Sequence, residues 1–282
     1  MQKTISVKHV SVEFGTKTVL DDVSFAIAVP DHICVVGENG EGKSTLMRVL
    51  AGTVEIEEGT VAKSNGARVY YIPQEFPHSH MALTAREYAV QEAGHGMYKK
   101  VEEICTVLGL RLATYADQQC RLLSGGQQKI IALAVGMAIR PDFLLLDEPE
   151  NHLDIVTRKQ LIVELQDFPG ALICISHDRF VIDALAEKIL EIADGKLHIS
   201  EGNYADYRQS RRRRIEGSQR TFDAEEKRIA QLKKAYVIAH QKAIRGKETA
   251  AYHRIKDELL GLKQDHKENR RAEDEFTKIK LG

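Results

Sequence analysis

The sequence predicts an α/β fold on a largely parallel sheet, with a small helical subdomain within it and a long α-helical hairpin after it. Three observations carry this. Compact apolar runs of strand type alternate with helical patterns through residues 1–207 of the 282-residue chain. One of these runs leads straight into a glycine-rich turn that opens a helix. Formal charge also divides the chain: residues 1–207 hold 19 Lys+Arg against 29 Asp+Glu, net −10, and residues 208–282 hold 21 against 12, net +9. Two regions with different partners are expected from that division.

The elements follow in order. Residues 5–14 and 19–28 are amphipathic strand-like segments, and 32–36 (HICVV) form a strand of the buried type. The turn GENGEGKST comes next, after which residues 45–51 keep helical spacing until Gly52 ends the helix. Residues 69–72, 143–146 and 171–175 are further compact apolar strands, and 127–139 and 155–166 are helical. The first domain spans 1–207, its helical subdomain about 80–140.

Composition narrows the class. At 43% hydrophobic and 6% aromatic residues, the chain fits a globular protein with a sizeable core. No run of about 18 apolar residues occurs, and MQKTISVKHV lacks the apolar stretch of a signal peptide. The expectation is a cytoplasmic protein without membrane insertion. Cys34, Cys105, Cys120 and Cys174 are scattered with no CxxC spacing, which predicts buried, reduced thiols.

Residues 37–44 satisfy G-x-x-x-x-G-K-[ST] with a strand before and a helix after, the context that gives the motif its meaning. Glycines let successive backbone N–H groups close around phosphates at a helix N-terminus, where the dipole favours negative charge. Lys43 then reaches the β- and γ-phosphates and Ser44 holds Mg²⁺. In LLLDEPE, Asp147 ends an apolar strand and Glu148 follows, at the strand end where open α/β sheets bind ligands. Asp147 suits the Mg²⁺ shell through water, and Glu148 suits general-base polarisation of an attacking water. LLSGGQQ (122–128) carries no acid, base or thiol, but its two glycines behind a serine suit a backbone grip on an anion.

The basic region opens with four consecutive arginines, 211–214. Apolar residues then fall at Phe222, Ile229, Leu232, Tyr236 and Ala239, and again at Tyr252, Ile255, Leu259 and Leu262, with Gly246 between. Two helices folded back as a hairpin are expected over 208–282, with the tip near 245–249. A helix over 218–243 reaches about 39 Å at 1.5 Å per residue. Such an arm suits contact with nucleic acid through shape and phosphates.

GENGEGKST, YIPQE, LLSGGQQ, LLLDEPENHLD and ISHDRF, in this order over residues 37–180, resemble the five nucleotide motifs of ATP-binding-cassette ATPases, which are P-loop NTPases. The resemblance implies ATP and Mg²⁺ as ligands. It implies that Gly37, Glu38, Asn39, Gly40, Glu41, Gly42, Lys43, Ser44 and Thr45 surround the phosphates, and that Phe14, 29 positions before Lys43, stacks on adenine. Gln74 is implied to touch Mg²⁺ and the attacking water, with His177 at the γ-phosphate and Glu148, His177 and Gln74 as the catalytic set. Ser124, Gly125, Gly126 and Gln127 are implied to grip the γ-phosphate held by a second cassette, so the chain carries half of a site.

NHLD, SHDRF and GNYADY (202–207) are similar to the ABC-F branch, whose members act on ribosomes. That branch implies contact of the hairpin with the ribosome, rRNA and tRNA, as a translation factor or an antibiotic ribosome-protection protein. Where many members have threonine this chain has Glu150, which is expected to add a third acid beside the site. A second cassette, typical of the branch, is expected from the missing half or from another copy. The ATPase subunit of a membrane transporter and a low-turnover, nucleotide-switched binding protein are the alternative readings.

Overall fold

The computed structural model describes residues 2–244 and 253–261. Its elements are β1 (Thr4–Phe14), β2 (Lys17–Ala28), β3 (His32–Val36), α1 (Lys43–Ala51), β4 (Glu58–Lys63), β5 (Val69–Ile72), α2 (Ala85–Ala93), α3 (Tyr98–Val107), α4 (Leu112–Tyr115), α5 (Gly125–Ile139), β6 (Phe143–Asp147), α6 (Ile155–Gln166), β7 (Ala171–Ile175), α7 (Arg179–Leu185), β8 (Lys188–Ala193), β9 (Lys196–Glu201) and α8 (Tyr204–Ile244). Contacts divide the chain into two compact units, Met1–Tyr207 and Arg208–Gly282.

The first unit holds two sheets. A six-stranded sheet runs β5-β6-β7-β3-β8-β9, parallel except for β9, which pairs antiparallel with β8. A three-stranded antiparallel sheet, β2-β1-β4, lies beside it in the fold. The central strands are short and, apart from His32 and Asp147 at their ends, apolar, because both faces of the six-stranded sheet are covered. Side chains alternate across it. Cys34, Leu144, Leu146, Leu172 and Cys174 join α5, α6 and α7 in one core, while Ile33, Val35, Leu145, Ile173 and Ile175 join α1 and the antiparallel sheet in the other. All four cysteines are free and buried.

Between residues 78 and 139 the described chain is helical, ending in α5, whose residues 129–138 are all buried. A helix apolar on all sides belongs inside a protein, and α5 packs against α2, α3 and β5. Lys129 is the exception to its apolar sequence, and its place is described below.

The helix at the end of the first unit begins earlier than the residue 218 expected from apolar spacing. Its start is set by a capping box: the Asn203 side chain accepts from the N–H groups of Ala205 and Asp206 (2.8 and 3.2 Å), and Asp206 accepts from the Asn203 N–H at 3.1 Å. Residues 208–217, polar but for Ile215 and Gly217, are therefore helical although none of them is buried. Tyr207 on the first turn is buried and donates to the buried carboxylate of Glu191 at 2.9 Å.

In the second unit, Ile229, Leu232 and Leu259 form a small buried cluster with Tyr236 and Ile255 against it. Arg228 meets Glu258 at 2.7 Å, so α8 and the helical residues 253–261 are in contact. The expected tip at 245–249, together with Tyr252 and Leu262, lies outside the described residues.

Candidate ATP site

The loop between β3 and α1 carries the phosphate-binding motif. Gly42 precedes α1 with φ 98°, and no side chain caps that helix, which leaves its first N–H groups directed outward. A Cβ at Gly42 would lie 2.6 Å from Cγ1 of Val19, so only glycine lets the loop pass over β2 at this point. Lys43 folds back along the loop, its Nζ donating to the carbonyls of Gly37 (2.8 Å) and Glu38 (2.7 Å). Glu41 accepts from the Glu38 N–H at 3.1 Å. Burial lowers the Lys43 pKa, and the charges of Glu148, Glu41 and Asp147 pull it back up. An anion brought to this ammonium meets a cation poorly solvated by water, which strengthens their attraction.

Across the cleft, β6 ends at Asp147 and the chain turns sharply. Glu148 takes φ 46°, a conformation uncommon for a residue with a side chain, and its N–H donates to Ile175 of β7 at 3.0 Å. The turn puts the Glu148 carboxylate at a meeting point of three side chains. Gln74 Nε2 donates to Oε2 at 2.9 Å, Asn151 Nδ2 donates to the same oxygen, and His177 Nε2 stands 3.7 Å from Oε1. Gln74, Glu148 and His177 thus come together from the segments after β5, β6 and β7, as adjacent parallel strands with common C-terminal ends require.

These three residues line a cleft of about 670 Å³ together with Phe14, Lys43 and Ser44. Asn39, Gly40, Gly42 and Thr45 contribute to the same wall. Phe14 ends β1 and is 52% exposed, so it serves no core and offers its ring to the cleft. Asp147 is buried behind the cleft, its Oδ2 accepting from Tyr71 Oη at 3.1 Å. Gly37, Glu38 and Glu41 belong to the loop but not to the cleft wall.

Ser124, Gly125, Gly126 and Gln127 do not line this cleft. Ser124 caps α5, with reciprocal bonds between its hydroxyl and the Gln127 N–H (3.3 Å) and between the Gln127 amide oxygen and the Ser124 N–H (2.8 Å). A Cβ on Gly126 would fall 2.7 Å from the His152 carbonyl oxygen, because the chain after β6 crosses the start of α5. The second glycine therefore answers a local packing demand. Ser124 and Gly125 remain exposed.

Sequence reading missed several residues that build the site. Lys129, only 5% exposed, donates to the carbonyls of Pro73 (3.1 Å), Gln74 (3.0 Å) and Asp147 (3.2 Å), joining α5 to both the Gln74 loop and β6. Asn151 and Ser176 were quoted within motifs without roles of their own; the signal for Lys129 was a single charge inside an otherwise apolar helix. Glu150 is the third acid near the site: it is 5% exposed and lies beneath the cleft, bonded by the Ser176 hydroxyl, and is not part of the cleft wall.

The fold is that of the ATP-binding cassettes of ABC ATPases. Residues 20–151 match the family model described as ABC transporter. Over 291 residues the chain is 30% identical to the energy-dependent translational throttle protein EttA of Mycobacterium tuberculosis, which covers 89% of this chain and 51% of that protein. It is 32% identical over 238 residues to the uncharacterized ABC transporter ATP-binding protein YfmR of Bacillus subtilis, covering 71% of this chain and 38% of that one. The chain thus spans about half or less of the length of the curated relatives it matches. Among solved structures, a dimeric ATP-binding cassette bound to ADP and Pi superposes with TM-score 0.61 at 22% identity, covering 70% of this chain and 98% of that one. A bacterial Atm1-family ABC exporter with ATP bound gives TM-score 0.66 at 21% identity, over 74% of this chain and 40% of the exporter.

Proposed function

We propose that the chain is the ATP-binding and hydrolysing part of an ABC-F-type protein that acts on the ribosome from the cytoplasm, as a translation factor or an antibiotic ribosome-protection protein. The observation that carries hydrolysis is the convergence of Gln74, Glu148 and His177 on the cleft that holds Lys43. Glu148 polarises the attacking water as general base, while the Gln74 amide and the His177 imidazole orient it. Lys43 and the outward N–H groups of α1 offset the charge of the transferring phosphoryl group. Phe14 packs on the adenine ring. The donors around the phosphate end, the Ser44 hydroxyl, the Gln74 amide oxygen and the Asp147 carboxylate, are all hard oxygens and fit Mg²⁺. When bound there, Mg²⁺ supplies charge neutralisation and orients the phosphates.

Ser124, Gly125, Gly126 and Gln127 serve the γ-phosphate of a second cassette in this reading, which their position outside the Lys43 cleft supports. ATP then closes two cassettes and sets the position of the hairpin. Support for the ribosome as partner comes from α8, which carries Arg211, Arg212, Arg213 and Arg214. A net charge of +9 over 208–282 suits a phosphate backbone, and a relative named a translational throttle agrees.

The ATPase subunit of a membrane transporter would share every catalytic motif and is the second reading, favoured by the name of the Bacillus relative YfmR. Among the described residues no helix is long and apolar enough to cross a membrane. Co-sedimentation with ribosomes separates the two. With its second cassette supplied and ATP present, the Glu148→Gln protein is expected to sediment with ribosomes, and replacing Arg211–214 with glutamine weakens this and flattens its salt dependence while leaving ATP affinity unchanged. No ribosome binding under these conditions contradicts the proposal.

A further inference from the structure

A carboxylate is an expensive thing to bury, and Glu150 is buried beneath the cleft with its Oε2 lacking a hydrogen-bond partner among the described residues. A neutral side chain would fill the same space at lower cost. What the carboxylate does that an apolar side chain cannot is accept from a hydroxyl and so fix it. It only accepts, so the Ser176 hydroxyl must spend its single proton on Glu150 Oε1. The Ser176 lone pairs then face the other way, where they accept from the Asp178 N–H at 3.0 Å. His177 lies between these two residues.

Asp178 is fastened in turn. Its Oδ1 caps α7 by accepting from the Phe180 N–H at 2.8 Å, and its Oδ2 accepts from Arg158 Nη1 at 2.7 Å. The backbone on either side of His177 is thereby held, one flank through Glu150 and Ser176 and the other through Arg158 and α7. The imidazole between them stands 3.7 Å from the Glu148 carboxylate. Lys129, the buried positive charge on which Glu150 acts, performs a comparable service for the Gln74 segment through the Pro73 and Gln74 carbonyls.

We propose that Glu150 is a positioning residue for ATP hydrolysis: through the Ser176 hydroxyl it fixes the segment that presents His177 to Glu148. The proposal rests on the hydrolytic reading of the cleft. Glu150 touches no reacting atom, so it governs the rate of the chemical step and not the binding of nucleotide.

The test is phosphate release with the full chain, its second cassette supplied, in excess over Mg·ATP, alongside binding of a fluorescent ATP analogue. Glu150→Ala is expected to lower the hydrolysis rate about tenfold or more with nucleotide affinity unchanged. Ser176→Ala should reproduce that loss, and the double variant should fall no further than either single one, because both break the same link. Glu150→Gln keeps an oxygen to accept from Ser176 and is expected to stay within about threefold of the parent chain. Thermal unfolding checks each variant; if Glu150→Ala does not fold, the comparison of Ser176→Ala with Glu150→Gln carries the same decision. Parent-like hydrolysis by Ser176→Ala or Glu150→Ala, multiplicative losses in the double variant, or a loss confined to affinity overturns the proposal. A parent chain that, with its second cassette supplied, binds ATP yet releases no phosphate removes the hydrolytic reading and the proposal with it. A parent chain that turns over beside an indifferent Glu150→Ala removes only the proposal.

Discussion

The Gln74 amide donates to the Glu148 carboxylate at 2.9 Å, closing a contact between residues 74 positions apart in the chain. This contact, with His177 on the other oxygen, leaves Glu148 as the only carboxylate on the wall of the Lys43 cleft among the described residues. Replacing Glu148 with glutamine removes the base and preserves the shape. Single-turnover phosphate release is expected to fall by roughly 10²–10⁴-fold, with ATP affinity retained. Undiminished release would show that another group takes the proton.

Lys129 ties three carbonyls from two separate segments to α5. Lys129→Met fills its volume but leaves those carbonyls without their donor, at a cost of about 1–3 kcal/mol. Urea unfolding should record that loss as a lower midpoint with an unchanged slope. An unaltered midpoint would mean the three bonds are replaced without cost.

How much of this was legible in the sequence depends on the range of the contacts. The loop from Gly37 to Lys43 is a local device whose glycines, lysine and flanking strand and helix are contiguous, so its form followed from the residues themselves. Glu148 was legible from its place after a strand, while Gln74 and His177 were implied by the family resemblance, and the shared C-terminal edge of parallel strands brings the three together. The antiparallel pairing of β1 with β4 was not legible, since residues 58–63 carry little apolar pattern and owe their strand to the partner. Glu150 was legible as an acid beside the site and Lys129 was not singled out, and only the fold shows that one meets Ser176 and the other three carbonyls. The start of α8 was hidden in the Asn203–Asp206 capping box, read as part of a family motif and not as a helix signal.

Burial raises the thiol pKa of Cys34 and Cys105 from the ordinary 9.0 to about 12, that of Cys120 to about 11, and that of Cys174 well above 9.0. In the unfolded chain these thiols ionise near the ordinary value while the folded ones stay protonated. The stability they contribute is therefore whole below about pH 9 and is lost as pH rises towards 12. Lys43 and Lys129, lowered by burial, work in the opposite sense, so the effect is read by comparison. Urea midpoints of the parent chain should fall more steeply between about pH 8.5 and 10.5 than those of Cys34→Ala, and a thiol reagent at about pH 8 should find no reactive cysteine before urea is added. Equal slopes or rapid labelling of the native chain would contradict the burial.

The central claim is that the loop holding Lys43 binds the phosphates of ATP, and equilibrium binding of Mg·ATP to the parent chain, Glu148→Gln and Lys43→Ala tests it most directly. The first two are expected to bind with similar affinity, and Lys43→Ala is expected to lose binding by about two orders of magnitude or more, as removal of a buried charge-assisted contact should. Tight Mg·ATP binding by Lys43→Ala would contradict the account.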